Sequence, residues 1–412
     1  MKLNVRIFRD LLVTLGLVGA LAAVYCVDRF APRVRPSDIG ETPPSPRREQ
    51  DFRLAATPAE FDDIGRFFEQ LGEGYTCDEI TLDALLLPET FDAYDVVFLT
   101  SGVAPSWLAE EDLASEDSAI PPAARSPAGQ ALRRNLRSFV ENGGTIYASD
   151  WRFDLVSFAF PELVYRVEGG AGASQEVLAE VVDKGLRDAV GGSVVLRFGL
   201  GPWFPATLRT DGLKTYLVGT FTTTAGIRVT EPLIVRVPFA NGNIVFTAFD
   251  TEKLNTEIEN ELLRYVVLAT VTANDCAQAE QKILEGGFSP LKQSLFCTSN
   301  DSATASSYTL SEPRYLQFIL ASGNPRARFR LTVVSPTGEV YSQEGDANVQ
   351  IDVTNAQKGK WKYDVAALSV PFENFPCSVT MGGKEPDMPA IGAEGSRSRG
   401  RDEPVLAGLP QE

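Results

Sequence analysis

Histidine is absent from all 412 residues of this chain. It is the usual general base near neutral pH, the usual partner of a serine or cysteine nucleophile and the commonest metal ligand. Its absence therefore removes most familiar hydrolase and metalloenzyme mechanisms together. Basic residues are also in deficit: 38 Lys and Arg against 55 Asp and Glu leave a formal charge of −17. Such a charge repels a phosphate backbone, and no basic stripe interleaved with aromatics offsets it, so nucleic acid is not an expected partner. A phosphate-cradling glycine loop and an internal repeat are missing too, and Gly169-Gly170 and Gly191-Gly192 stand as isolated turns. The five cysteines form no CxxC pair and have no histidine to join, which leaves no metal site and no cofactor in the expectation.

What is present starts at the N-terminus. Residues 1–10, with Lys2, Arg6 and Arg9, form a basic lead into the apolar run 11–27, which reads as a transmembrane signal anchor at the short end of a spanning helix. Ala20-Leu21-Ala22 offers a signal-peptidase site and Cys26 a lipid attachment point as alternatives, although Tyr25 is too large for a lipoprotein signal. Arg29, Arg33 and Arg35 follow the run as closely as the first basic residues precede it. The expectation is a single-pass protein of a bacterial inner membrane with an extracytoplasmic body. Residues 28–51 form a Pro-rich linker, and residues 383–412 lack apolar periodicity and read as a disordered tail. Cys276 and Cys297 could close a loop worth about 3 kcal/mol, the alternative being reduced thiols at 77, 276, 297 and 377.

With 44% hydrophobic and 23% charged residues, the body is long enough for two cores. Thr57-Pro58-Ala59-Glu60 has the form of a capping box, followed by Phe61, Ile64, Phe67, Phe68 and Leu71 at helical spacing. Val96–Leu99 is a continuous apolar run ending in Ser101-Gly102, as in a parallel strand buried on both faces. Ser126-Pro127 opens a helix with Leu132, Leu136, Phe139 and Val140 on one face, closed by Gly143-Gly144. Thr145–Ser149 is a strand. So are Val177–Val182, Val194–Phe198, Thr215–Thr222 and the run from Ile244, before a helix over 256–272. Strands alternating with helices predict an α/β domain, flavodoxin-like, with a mostly parallel sheet.

The stretches DDIGRFFEQLGEGYTCDEITL, YDVVFLTSG, LRRNLRSFVENGGTIYASDW and NGNIVFTAFDTEKLNTEIENELLRYVVLATV resemble a class I glutamine amidotransferase-like domain of the trehalose-utilisation type, over residues 52–273. The resemblance implies a nucleophilic Cys at the turn after the strand GGTIYAS and a His after the strand NIVFTAF. Those places hold Asp150, with Ser149 adjoining, and Asp250, so amidotransferase chemistry is not expected. The candidate pocket at the carboxyl edge of the sheet comprises Ser101, Ser149, Asp150, Trp151, Asp154, Asp250 and Glu252. Three readings stay open for its carboxylates: loop and helix caps, a binding pocket without chemistry, or an acid/base pair of Asp150 and Asp250. Trp151 reads first as core packing and second as a ligand platform.

Residues 274–312 read as a connector. Beyond them Leu316–Leu320, the alternation of Phe329, Leu331 and Val333, the turn Ser335–Gly338, then Val349-Ile351-Val353 and Trp361-Tyr363-Val365-Ala367 predict a small all-β sandwich over 313–382. LTVVSPTGEVY and KGKWKYDVAAL resemble the pre-peptidase C-terminal type of sandwich, and Trp361 reads as its core tryptophan. The expected function is a non-catalytic, membrane-anchored binding or assembly protein with a protein partner or a glycan in the envelope. The alternatives are an envelope glycan hydrolase or lyase and a purely structural component.

Overall fold

The computed structural model describes residues 52–58, 60–71, 75–108, 126–199, 201–249 and 257–385. The expected anchor at 11–27, Cys26, the expected linker 28–51 and the chain beyond residue 385 lie outside the described residues. No helix among the described residues is long and apolar enough to cross a membrane.

Among the described residues the first half supplies nine strands: β1 (Leu54–Ala56), β2 (Cys77–Glu79), β3 (Val96–Leu99), β4 (Thr145–Ser149), β5 (Gln175–Val181), β6 (Ser193–Phe198), β7 (Lys214–Thr222), β8 (Arg228–Phe239) and β9 (Gly242–Thr247). They form one sheet in the order β2-β1-β3-β4-β9-β8-β7-β5-β6. Helices α1 (Ile64–Leu71), α2 (Pro88–Asp92), α3 (Pro127–Glu141), α4 (Phe153–Ala159), α5 (Lys184–Val190) and α6 (Glu257–Val271) accompany it. Alternate residues of the central strands serve two cores. Val96, Phe98 and Tyr147 pack with Ile64 and Phe68 of α1 and Leu262 and Val266 of α6. Val97, Leu99, Ile146 and Ala148 pack with Leu132, Leu136 and Val140 of α3 on the other face. Burial on both faces is why these strands read as unbroken apolar runs, and each such side chain contributes roughly 1.5–3 kcal/mol.

The mostly parallel expectation holds for half of the sheet. β2, β1, β3, β4 and β9 pair in parallel, whereas β9-β8, β8-β7, β7-β5 and β5-β6 are antiparallel. The reason is visible in β5, where Val177, Ala179 and Val181 are buried while Leu178 faces solvent with its register partner Val195. A sheet covered on one face is the antiparallel pattern. The capping box at Thr57 is also corrected. Thr57 follows β1 and its hydroxyl bonds Thr100 Oγ1 at 2.9 Å, and α1 begins at Ile64, where Asp63 Oδ1 accepts the N–H of Arg66 at 2.8 Å. At Ser126 the cap stands as expected, accepting the N–H of Gly129 at 2.9 Å.

The region read as a connector is structured. It contains α7 (Ala273–Glu285), β10 (Ser289–Thr298) and β11 (Ala303–Leu310), and both strands belong to the sandwich, which therefore begins near residue 289. With β12 (Arg314–Ala321), β13 (Arg328–Val334), β14 (Val340–Asp346), β15 (Asn348–Ala356), β16 (Gly359–Ser369) and β17 (Phe375–Lys384), they make two four-stranded antiparallel sheets, β10-β17-β12-β15 and β11-β16-β13-β14. β17 carries the sandwich through Gly383 and Lys384, into the first residues assigned to the tail. Trp361 is 1% exposed in the shared core, as its alternation implied.

The two halves meet across α7. Its Ala279 and Ile283 pack on Ile319 and Ala321 of β12, with Phe288 alongside. Beside this contact lies a buried ionic group: Lys214 Nζ reaches Asp183 at 3.4 Å, Glu280 at 3.2 Å and Gln293 at 2.6 Å, and Arg236 reaches Glu280 at 3.0 Å. Burial works against the charge on Lys214, but Tyr216, Asp183 and Glu280 hold its pKa above the ordinary lysine value. Gly185 of α5 lies so close to β10 that a Cβ there would fall 2.0 Å from the carbonyl oxygen of Gln293. Of the two alternatives left open for the cysteines, the structure has the reduced one: Cys77, Cys276, Cys297 and Cys377 are free thiols. Cys276 turns inward on α7 against Thr272 at 3.5 Å, whereas Cys297 on β10 faces Tyr75 at 3.6 Å, so the two thiols have separate neighbours.

Candidate functional site at the carboxyl edge of the sheet

β1, β3 and β4 end side by side, so the residues that follow them share one edge. Asp62, after β1, accepts the backbone N–H of Ser101 at 2.9 Å and the hydroxyl proton of Ser149. Ser149 Oγ also accepts the Ser101 N–H, at 3.0 Å. These three residues are 1%, 1% and 0% exposed, so the Ser149 hydroxyl lies out of reach of any substrate. Asp150 occupies the turn from β4 with φ +38°, the left-handed region that a non-glycine residue enters at a cost. Asp150 is 7% exposed as a residue, and its Oδ1 accepts the backbone N–H of Phe204 at 3.1 Å.

Arg152 is fully buried, and its Nη1 donates to the carbonyl oxygens of Gly102 and Val103 at 3.0 and 2.9 Å. Burial lowers its pKa, while Asp154, Glu60 and Asp62 pull it back up. Glu60 accepts the N–H of Val103 at 2.6 Å. Gly102 runs between these groups, where a Cβ would meet Glu60 Oε2 at 2.2 Å and Arg152 Nη2 at 2.7 Å. Asp154 is pushed up to about 6 by burial, against the lowering pull of Arg152 and of the Leu155 N–H. Ser101 Oγ and Arg152 Nε are buried with no partner among the described residues.

The structure thus brings Ser101, Ser149 and Asp150 together with Asp62, Glu60 and Arg152, which the sequence reading missed. Asp62 and Glu60 were hidden because β1 is three residues long and leaves no periodic signal, so the chain around Glu60 read as the start of a helix. Asp250 and Glu252 lie outside the described residues. Trp151 is not core: it is 37% exposed and packs edge-on to Phe61, itself 36% exposed, with centroids 6.5 Å apart. Val103, 59% exposed, belongs to the loop of the same edge. The edge therefore has a closed polar floor and an open apolar rim. Two concavities lie elsewhere: one of about 660 Å³ beside Tyr94, Arg137 and Gly143 at the amino edge of the strands, and one of about 290 Å³ where α5 and α6 face the sandwich. Among the described residues no group of three or more Cys, Asp or Glu could hold a metal ion.

Neither protein-family models nor curated proteins match this chain. Among solved structures, the cytoplasmic protein STM3548 of Salmonella typhimurium is 10% identical, with 52% of this chain and 98% of that one covered at a TM-score of 0.34. STM1381 from Salmonella typhimurium LT2 is 11% identical over 55% of this chain and 99% of that one, at 0.35. A candidate GMP synthase component from Thermoplasma acidophilum is 10% identical over 56% and 100%, at 0.36. At such scores these likenesses carry no argument about the chain.

Proposed function

We propose that this protein is a non-catalytic binding or assembly module, an amidotransferase-like α/β core joined to a β-sandwich, held at a bacterial inner membrane through residues 11–27 with its body outside the cytoplasm. The observation that carries the reading is the division of labour at the carboxyl edge. The polar groups where relatives of the resembled family place their chemistry are buried and engaged by backbone N–H groups and by one another, while Phe61, Trp151 and Val103 present apolar surface beside them. A half-exposed tryptophan next to a second aromatic is a common anchor of protein and glycan recognition.

The test is cross-linking and pull-down of the full chain from native membranes, comparing the parent with Trp151→Ala. A specific partner or glycan recovered with the parent and lost with Trp151→Ala, at unchanged thermal stability, is the expected outcome. Recovery of monomer alone from both would refute it. An Asp150→Asn variant addresses the glycan-hydrolase alternative: any activity that survives the substitution intact does not use that carboxylate.

A further inference from the structure

β6 closes one end of the nine-stranded sheet, and among the described residues only β5 pairs with it. Its backbone has a direction. The carbonyl oxygen of Gly192 accepts the Val181 N–H at 3.0 Å, so in the alternation of an antiparallel ladder Val194, Leu196 and Phe198 turn their N–H and C=O groups toward β5. Ser193, Val195 and Arg197 turn theirs outward, where no strand among the described residues meets them. Sheets ordinarily guard such an edge with brevity, charge, proline or a bulge. β2, at the opposite end, is three residues long and carries the exposed Asp78 and Glu79. β6 has six residues, no proline and no bulge against β5, and its one charge, Arg197, is paired to Glu176 of β5 at 3.0 Å.

The solvent face of this edge complements itself. Val195 is 47% exposed and its register partner Leu178 is 68% exposed. Along the strands they are flanked by the pair Glu176–Arg197 on one side and Glu180–Ser193 on the other. A second β6 laid antiparallel about a two-fold axis through Val195 sets Val195 against Val195, and Ser193 against Arg197 in both directions. These are the residues with outward backbone groups, so each pair exchanges both of its hydrogen bonds. A register centred on Leu196 would set Ser193 against Gly199, beyond the end of the strand. In the Val195 register, Leu178 and Val195 of one copy continue into Val195 and Leu178 of the other as one apolar row. The neighbouring rows match in charge: Glu176 and Arg197 of one copy run into Ser193 and Glu180 of the other, so each Arg197 stands between two carboxylates and never faces its own copy. A foreign strand could satisfy the backbone, but a second copy supplies the apolar row and the charge match together. We infer that two copies join edge to edge through β6, merging their sheets, at a surface separate from the Trp151 edge.

The test uses the full chain in detergent, with Cys26→Ser as background, in analytical ultracentrifugation up to about 200 µM, because pairing of short strands buries less than a standard interface and gives a weak dimer. A reversible dimer is expected. Val195→Lys sets two ammonium groups face to face on the axis and disturbs nothing buried, so it should weaken association about tenfold or more at an unchanged thermal midpoint. Val195→Cys brings two thiols together at a Cα separation of about 5.5 Å, within disulfide reach, and mild oxidation should convert it to covalent dimer. Leu178→Cys, whose two copies are separated by both β6 strands, should stay monomeric under the same oxidation. Trp151→Ala should leave the dimer intact, which tells the two surfaces apart. A parent chain that remains monomeric, a dimer that Val195→Lys leaves unchanged, as association through residues 11–27 would give, or equal cross-linking of Leu178→Cys and Val195→Cys would overturn the inference. Cross-linking of Val195→Cys in native membranes to a different protein alone would assign the edge to a foreign strand and overturn it as well.

Discussion

Asp275 is a residue whose environment sets a measurable pH response. It stands in the first turn of α7 and accepts the backbone N–H of Gly323, yet burial outweighs that bond and raises its pKa to about 7. An aspartate in the unfolded chain titrates near 3.9, so the folded chain keeps this proton to a higher pH than the unfolded one. Its contribution to stability is therefore present below about pH 4 and is lost as pH rises to about 7. Asp275→Asn keeps a carbonyl for Gly323 and cannot ionise. Urea denaturation should find it more stable than the parent by about 1–3 kcal/mol at pH 8 and little different at pH 4. The thiols respond to burial in the same sense: it pushes Cys77 up to about 12 and raises Cys276 and Cys377 above the ordinary range, so all three are held neutral and slow to react. Alkylation of native protein at neutral pH should spare Cys276 and Cys377, and denaturation without reductant should expose all four described thiols to reagent. A mass corresponding to a Cys276–Cys297 bridge would contradict the structure.

At the scale of elements, Glu280 ties α7 to the α/β half. Its two carboxylate oxygens meet Lys214 at 3.2 Å and Arg236 at 3.0 Å, and those cations have side chains 17% and 3% exposed. Removing the shared anion leaves the buried Arg236 without its carboxylate partner and Lys214 with Asp183 alone. Glu280→Gln should therefore lower stability by about 3 kcal/mol, read from the denaturant midpoint at unchanged slope. Elements were legible to the degree that one local period described them. β3 and β4 were legible as apolar runs, β13, β15 and β16 as alternations, and α3 from its Ser126-Pro127 start. β8 was hidden by Pro232 and Pro238, which mark an edge or a break on sequence grounds. β10 was hidden by Lys292, Gln293 and Ser294, three consecutive buried polar residues whose partners Asp188, Lys214 and Tyr363 come from distant parts of the chain. β11, rich in Ser and Thr, reads as loop because only Tyr308 and Leu310 near its end carry apolar side chains into the sandwich core.

At the scale of the molecule, the two halves share α7, the Lys214–Glu280–Arg236 group and the packing of Tyr75 on Phe372, at 5.4 Å between ring centroids. Such shared burial couples their unfolding. Calorimetry on a chain spanning residues 52–385 should show one cooperative transition, and two well-separated transitions would refute the coupling.

The residues alone determined the order of an α/β half and an all-β half, the acidic charge, and the removal of histidine chemistry, because composition and short-range periodicity are properties of the chain itself. Only the tertiary structure decided which side chains share an edge. It alone brought Asp62 to Ser149, turned Trp151 outward and kept Cys276 from Cys297. Each of these depends on strands far apart in sequence lying side by side, and no local pattern encodes that adjacency.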